Sequence, residues 1–229
     1  MDDLVSVVIP THNGQRHIAA TLDSVLAQRH RPLEILVVDD GSTDSTAQMV
    51  RGYAPEVRLI EQDQRGHPAA RNTGIRAAAG EFLAFLDHDD LWSPDKLERQ
   101  LACFERDPAL DLAFGHILNF FSPEMPPEER RRLAVPLRPL PGLLQGAMLA
   151  RRRSFDRVGL FSEERPVGDF LDWYGRAMLA RMNIAMLPET LVYRRIHASN
   201  YQRLNKHQHR EYLRAVKDLL DRRRAVAGS

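Results

Sequence analysis

The 229-residue chain reads as an α/β protein, a single domain on a mostly parallel central sheet with helices on both faces, plus a C-terminal amphipathic helix. Three observations predict this. Short continuous apolar runs alternate with segments of helical period. The crossovers between the first four runs are ten residues or longer, as parallel neighbours require. Each run also ends in polar, chemically able residues.

The elements follow in order. Leu4–Ile9 is a β-branched run suited to a buried strand, and Pro10 fits a strand end. Thr11-His12-Asn13-Gly14 is a loop. Ile18, Leu22, Val25 and Leu26 recur at helical spacing, so residues 15–28 form a helix, broken by Arg31-Pro32. Leu33–Val38 is a second strand, ended by Asp39-Asp40-Gly41-Ser42-Thr43-Asp44. Ser42 or Asp44 caps the next helix, which runs to Tyr53. Val57–Ile60 is a short strand, and His67–Ala79 a helix stopped near Gly80. Phe82–Leu86 is the central strand.

Ser93-Pro94 opens a helix whose apolar face is Leu97, Leu101 and Phe104. Leu110–Phe121 is a strand. Residues 122–142 hold six prolines and read as a mobile loop. Gly142–Ala150 and a helix to Val158 return to packed character, and Gly168–Arg181 is helical. Ile184–Leu187 and Thr190–Arg195 read as two strands separated by Pro188. From Asn205 a basic amphipathic helix carries Tyr212, Leu213, Val216, Leu219 and Leu220 on one stripe.

Composition narrows the classes. A net charge of +1 carries no global signal for nucleic acid. The lone cysteine, Cys103, excludes an internal disulfide, fits a reducing compartment and is expected as buried filler. No apolar run approaches the roughly 20 residues that span a bilayer. The acidic start Met1-Asp2-Asp3 leads straight into a strand, unlike a signal peptide. The expected location is cytoplasmic, with peripheral contact at the inner membrane face left open. Arg151-Arg152-Arg153 and Arg222-Arg223-Arg224 read as solvated helix faces or, less simply, as an anionic-lipid surface.

The chemistry centres on Glu81–Trp92. Here an apolar strand runs into Asp87-His88-Asp89-Asp90, at the strand end where open α/β sheets bind ligands. Clustered carboxylates repel unless a cation sits among them, and oxygen ligands suit Mg²⁺ or Mn²⁺, which commonly accompany phosphates. The plainer alternative is a polar turn with an acidic helix cap.

Four motifs then occur in order: Val5–Asn13, Val37–Asp44, Ala70–Ile75 and Phe85–Asp90. Together they resemble family 2 glycosyltransferases of the GT-A fold, over roughly residues 4–100. Gly168-Asp169, Asp172-Trp173 and Arg194–His197 match more loosely. The resemblance implies transfer of one sugar from a nucleotide-diphosphate sugar to an acceptor, with inversion and a divalent metal. It divides the chain into a nucleotide-sugar half (1–121), the Pro-rich loop (122–142), an acceptor-binding and catalytic half (143–204) and the helical tail (205–229).

Residue by residue, the resemblance places His12 against the nucleobase where the family usually has Tyr, with Pro10 and Asn13 shaping the same pocket. A carboxylate at 40 can accept the N3–H of uracil, so Asp40 is the expected base contact and a UDP-sugar the favoured donor. Arg71 lies near the nucleotide or offsets the aspartates. Asp89 takes the metal, Asp87 the ribose or the metal, and His88 lines the site; Asp90 is left as a helix cap. His197 is an expected third ligand of Mn²⁺ or Mg²⁺. An inverting displacement needs a base outside the metal cluster. Asp169 is preferred and Asp172 second, since i and i+3 can share a helix face; the family's Glu-Asp is here Asp169-Phe170. For either aspartate the alternative is capping or a salt bridge with Arg176.

Neither added membrane helices nor a Gln-x-x-Arg-Trp stretch is present, which implies one sugar per encounter. A sugar nucleotidyltransferase would carry a glycine-rich phosphate loop, but Asn13-Gly14-Gln15-Arg16 has one glycine. A catalytically impaired member that binds a nucleotide sugar or a partner is the alternative function. The acceptor (glycan, lipid-linked sugar, peptide or small metabolite) is not legible.

Overall fold

The computed structural model describes residues 3–133, 135–164 and 168–198. The expected tail helix, 205–229, with Arg222–Arg224, lies outside the described residues.

Strands β1 (Val5–Thr11), β2 (Leu33–Asp40), β3 (Val57–Gln62) and β4 (Phe82–Phe85) run parallel in the spatial order β3-β2-β1-β4. Helices α1 (Ile18–Leu26), α2 (Thr46–Arg51) and α3 (His67–Ala77) make the crossovers. Past β4 the sheet becomes mixed. β8 (Leu149–Arg151) is antiparallel to both β4 and β6 (Leu112–Phe121). β6 runs parallel to β9 (Ile184–Ile196), and the two-residue β5 (Leu91–Trp92) closes antiparallel on β9. β7 (Leu140–Pro141) pairs with β6 off this path. The remaining helices are α4 (Lys96–Arg106), α5 (Pro127–Arg132), α6 (Arg152–Val158) and α7 (Asp169–Leu179), and Gln145–Ala147 forms a 3-10 turn.

The period of two along each strand builds a core on either face. Val5, Val7, Ile35 and Val37 meet Leu22 of α1, Val50 of α2 and Leu97 of α4. Val8, Leu36 and Val38 meet Ile75 of α3, Phe155 of α6 and Trp173 of α7. Each such buried side chain contributes about 1.5–3 kcal/mol. Trp173 anchors the second core: it is fully buried, stacks on Phe155 at 4.6 Å and donates Nε1–H to the Gly159 carbonyl at 2.9 Å. Truncating it to alanine would cost about 3–5 kcal/mol. Gly74 lets α3 lie directly on β1, because a Cβ there would collide with Val8.

Several expectations change. Pro188 does not separate two strands. β9 is continuous from Ile184 to Ile196, and the β6–β9 register shifts on either side of His116. An irregular ladder spares the missing N–H of proline. The 122–142 segment is not featureless. It contains α5 and β7, and the Arg130 guanidinium donates to the carbonyls of Ser122, Pro123 and Met125. Cys103 is half-buried on α4, outside the fully buried set. Arg151–Arg153 are not an outward basic face. Arg151 pairs with Glu81 at 2.6 Å, Arg152 donates to the carbonyls of Ala78 and Gly80, and Arg153 lies 3.5 Å from Asp111. No helix among the described residues is long and apolar enough to cross a membrane.

Candidate active site

The C-terminal ends of β1 and β2 are stitched to each other. Asn13 adopts a positive φ of 52°, which asparagine tolerates better than most residues. Its backbone N–H donates to Ser42 Oγ at 2.8 Å, and its Oδ1 accepts from the Thr43 N–H at 2.8 Å. His12 Nδ1 donates to the Asp40 carbonyl at 2.8 Å, leaving Nε2 to accept from Asn13 and Gln64 at 3.2 and 3.3 Å. Asp39 Oδ1 accepts the Ser42 N–H, which closes the turn. Asp44, rather than Ser42, holds the start of α2, accepting the Thr46 N–H at 2.9 Å. Pro10 is buried within β1, opposite Val38.

Asp40 is not an open carboxylate. It is 3% exposed and accepts from Gln62 Nε2 and the backbone N–H groups of Arg65 and Gly66 at 2.7–2.8 Å. It therefore shapes the loop that leads into α3.

Arg71, on α3, joins the two halves of the chain. It is 4% exposed and forks between Asp169 Oδ2 at 2.6 Å and Asp87 Oδ1 at 3.0 Å. Burial works against its charge, but Asp169 and Asp87 outweigh burial and raise its pKa. Burial likewise raises Asp87, yet Arg71 and then His67 bring it below its ordinary value. Gln145, from the 3-10 turn, reaches Asp87 Oδ2 at 3.3 Å. That turn is held from behind by Gln100 on the Ala147 carbonyl and Trp92 Nε1 on the Gly146 carbonyl. Lys96 completes this backing. It is fully buried, donates to Gln100 Oε1 at 2.7 Å and sits 4.1 Å from the Trp92 ring centroid. Burial pushes its pKa well below the ordinary lysine range.

Asp89 and His197 meet at 2.9 Å, Oδ2 to Nε2, across more than a hundred residues of chain. Burial opposes ionisation of Asp89, but the His197 hydrogen bond, with the charges of His88 and His197, brings it down to about 2. Behind His197 lies the ring of His17, at 4.7 Å between centroids and 8% exposed, a residue that no motif in the sequence singles out. Burial first, then Arg195 and His197, lowers His17 to about 4. His88 packs its ring edge on Gly14, where a Cβ would come within 2.8 Å.

Asp90 does not cap a helix. Its carboxylate is buried and accepts the Arg195 N–H of β9 at 2.8 Å. Burial, then Asp89 and Asp87, pushes its pKa well up. Asp169 and Asp172 form different ion pairs. Gly168, at φ +82°, turns the chain into α7 and delivers Asp169 to Arg71. Asp172 instead pairs with Arg176 at 3.1 Å, whose guanidinium also caps the Val158 and Leu160 carbonyls. A cavity of about 340 Å³ opens here, walled by Asp87, Asp90, Gln145, Asp169, Phe170 and Arg194. Asp172 is not on its wall.

The chain is similar to several known proteins. An uncharacterized glycosyltransferase of Rickettsia typhi is 29% identical over 91% of this chain and 69% of its own length. The Escherichia coli UDP-Glc:α-D-GlcNAc-diphosphoundecaprenol β-1,3-glucosyltransferase WfgD is 41% identical over 44% of this chain and 42% of its own. Other relatives are matched over as little as 14% of their length. The Staphylococcus aureus TarS structure with UDP-GlcNAc superposes with a TM-score of 0.75, at 21% identity, over 94% of this chain and 65% of that one. That superposition establishes the GT-A-type fold. The glycosyl transferase family 2 model matches residues 6–159, well over half the sequence, so the chain belongs to glycosyl transferase family 2.

Proposed function

We propose that the chain moves one sugar from a UDP-sugar to an acceptor hydroxyl by a single inverting displacement, helped by Mn²⁺ or Mg²⁺. The observation that carries this reading is the fork of Arg71, which sets Asp169 beside the Asp87–Asp89 turn and at the mouth of the same cavity.

Asp89 and His197 meet at 2.9 Å and offer donor types that a divalent cation takes, although no group of three such ligands is assembled among the described residues. Asp89 and His197 would hold the cation, beside Asp87, whose two oxygens are engaged by Arg71 and Gln145. A cation held there would supply charge neutralisation for the leaving diphosphate. The chain's own residues do the rest. The loops of His12, Asn13 and Asp40 shape the nucleobase side, and the half-buried His12 ring offers it a flat face. The acceptor oxygen attacks the anomeric carbon, the bond to the diphosphate breaks, and Asp169 takes the hydroxyl proton. Arg71 holds the base in place through its 2.6 Å contact with Asp169 Oδ2. A single cysteine and nucleotide-sugar chemistry suit a cytoplasmic site of action, with any membrane contact peripheral.

The test is a screen of UDP- and GDP-sugars for metal-dependent hydrolysis or transfer, read by mass spectrometry, beside calorimetry with UDP and Mn²⁺. UDP binding that strengthens with Mn²⁺, and turnover of a UDP-sugar that stops on chelation, is expected. Absence of UDP binding at high protein concentration with metal present would sink the donor assignment. Binding without turnover of any donor would leave a binding module.

A further inference from the structure

We propose that Arg194 makes the acceptor site selective for a phosphorylated acceptor, a sugar bearing a 1-phosphate or 1-diphosphate, over a neutral glycan. This rests on the donor and base assignment above and concerns the other substrate of the same site.

Arg194 lies on the cavity wall with Asp87, Asp90 and Asp169. The charged groups around it are already engaged. Arg71 is divided between Asp87 and Asp169, Asp87 also takes Gln145, and Asp90 takes a backbone N–H. Arg195, its neighbour on β9, points to the other face, where it donates to the Asp89 carbonyl and lies over Phe120 at 4.8 Å. Arg194 is half-buried, its charge acts on the nearby Asp90, and its guanidinium has no hydrogen bond or ion pair among the described residues. It is thus a partly desolvated guanidinium facing a cavity with its donors unspent. Such a fork matches two oxygens of a phosphoryl group better than it matches sugar hydroxyls.

The rest of the wall argues for the acceptor rather than the donor. His12, Asn13 and Asp40 do not line this cavity, whereas Asp169 does. Beside Arg194 the wall is apolar, with Phe170, Leu171, Leu144 and Leu143, and Leu143 is 51% exposed. A cation bordered by an uncovered leucine suits a phosphoryl group whose other substituent leaves the cavity over an apolar rim. A soluble sugar phosphate and a lipid-linked sugar diphosphate share the phosphoryl chemistry, and the arms of the experiment separate them.

The experiment is calorimetry on the full chain with UDP and Mn²⁺ present. Three probes are compared: GlcNAc-α-diphosphoryl-undecane, GlcNAc 1-phosphate and the neutral undecyl α-GlcNAc. The wild type is expected to bind at least one phosphorylated probe tenfold or more tightly than the neutral one. Dependence on the undecyl tail assigns a lipid source, and equal binding of GlcNAc 1-phosphate a soluble one. R194M should erase the preference while UDP affinity stays within twofold, which also reports an intact fold, and R194K should restore part of it. If R194M weakens UDP as much as the probes, Arg194 serves the donor diphosphate and the proposal is overturned. A wild type that binds UDP but shows no preference, or binds none of the probes, overturns it too. A wild type that binds no UDP instead removes the donor reading, and this one with it.

Discussion

The loops after β1 and β2 and the segments around Asp169 are built in opposite ways. The first set is redundant. Asn13, Ser42, Thr43, His12, Asp40, Arg65 and Gly66 hold one another through at least five hydrogen bonds, many from the backbone. The second set converges from distant parts of the chain through single side chains. Arg71 reaches Asp169 across 98 residues, and Gln145 reaches Asp87 across 58. A redundant pocket tolerates single losses, whereas a convergent one fails at one atom.

The largest contrast is expected at Asp169. D169N keeps the shape but loses the proton acceptor, and transfer should fall about 10²–10⁴-fold. D172N breaks the Arg176 pair and leaves the Asp169–Arg71 pair in place, so the rate should hold while stability drops by about 1–3 kcal/mol. Rates of the two variants measured side by side decide it; equal losses would put the base elsewhere.

R71M comes next, because it severs the link between the halves and leaves Asp87 and Asp169 without their cation. Breaking a buried ion pair from one side costs about 3–5 kcal/mol. A urea midpoint that hardly moves would show that the fork is not what joins the two regions.

Behind the junction, Lys96 gives a pH signature. Its pKa is depressed in the folded chain, so between that value and about 10.5 the unfolded chain binds the extra proton. Stability must therefore rise with pH through this window, by at most about 1.4 kcal/mol per unit. The stability of wild type minus that of K96M, from urea melts between pH 7 and 10, should climb; a flat difference would mean Lys96 finds equal hydration in both states.

The smallest effect is expected in the redundant loops. N13A removes bonds worth about 0.5–1.5 kcal/mol in sum, since neighbours remain. UDP affinity should weaken only severalfold. A loss beyond a hundredfold would make this pocket as brittle as the other.

The same difference explains what was legible in the sequence. Strand runs ending in Asp39-Asp40 or Asp87–Asp90 announce themselves locally, because period and turn chemistry sit within a few residues. The alternation that predicts the parallel core is local as well. The tie of Asp90 to the Arg195 N–H depends on where β9 packs, so Asp90 reads as a cap, whereas the Asp172–Arg176 pair spans one helical turn and was legible as an alternative. His17 carried no signal at all, since only β9 folding back puts His197 against it. Pro188 misled for the opposite reason: the strand-breaking rule is local, and a shifted ladder overrode it.

The strand order has a consequence for handling the chain at high concentration. A sheet's outer strands are templates on which another chain can add. Here one rim is β3, which turns Arg58 and Glu61 outward. The other is the two-residue β5, flanked by the stretch of β9 that carries Pro188 and Glu189. A charged rim and a rim too short and too interrupted to copy leave little for a second molecule to pair with, so the fold discourages edge-to-edge stacking by its own topology.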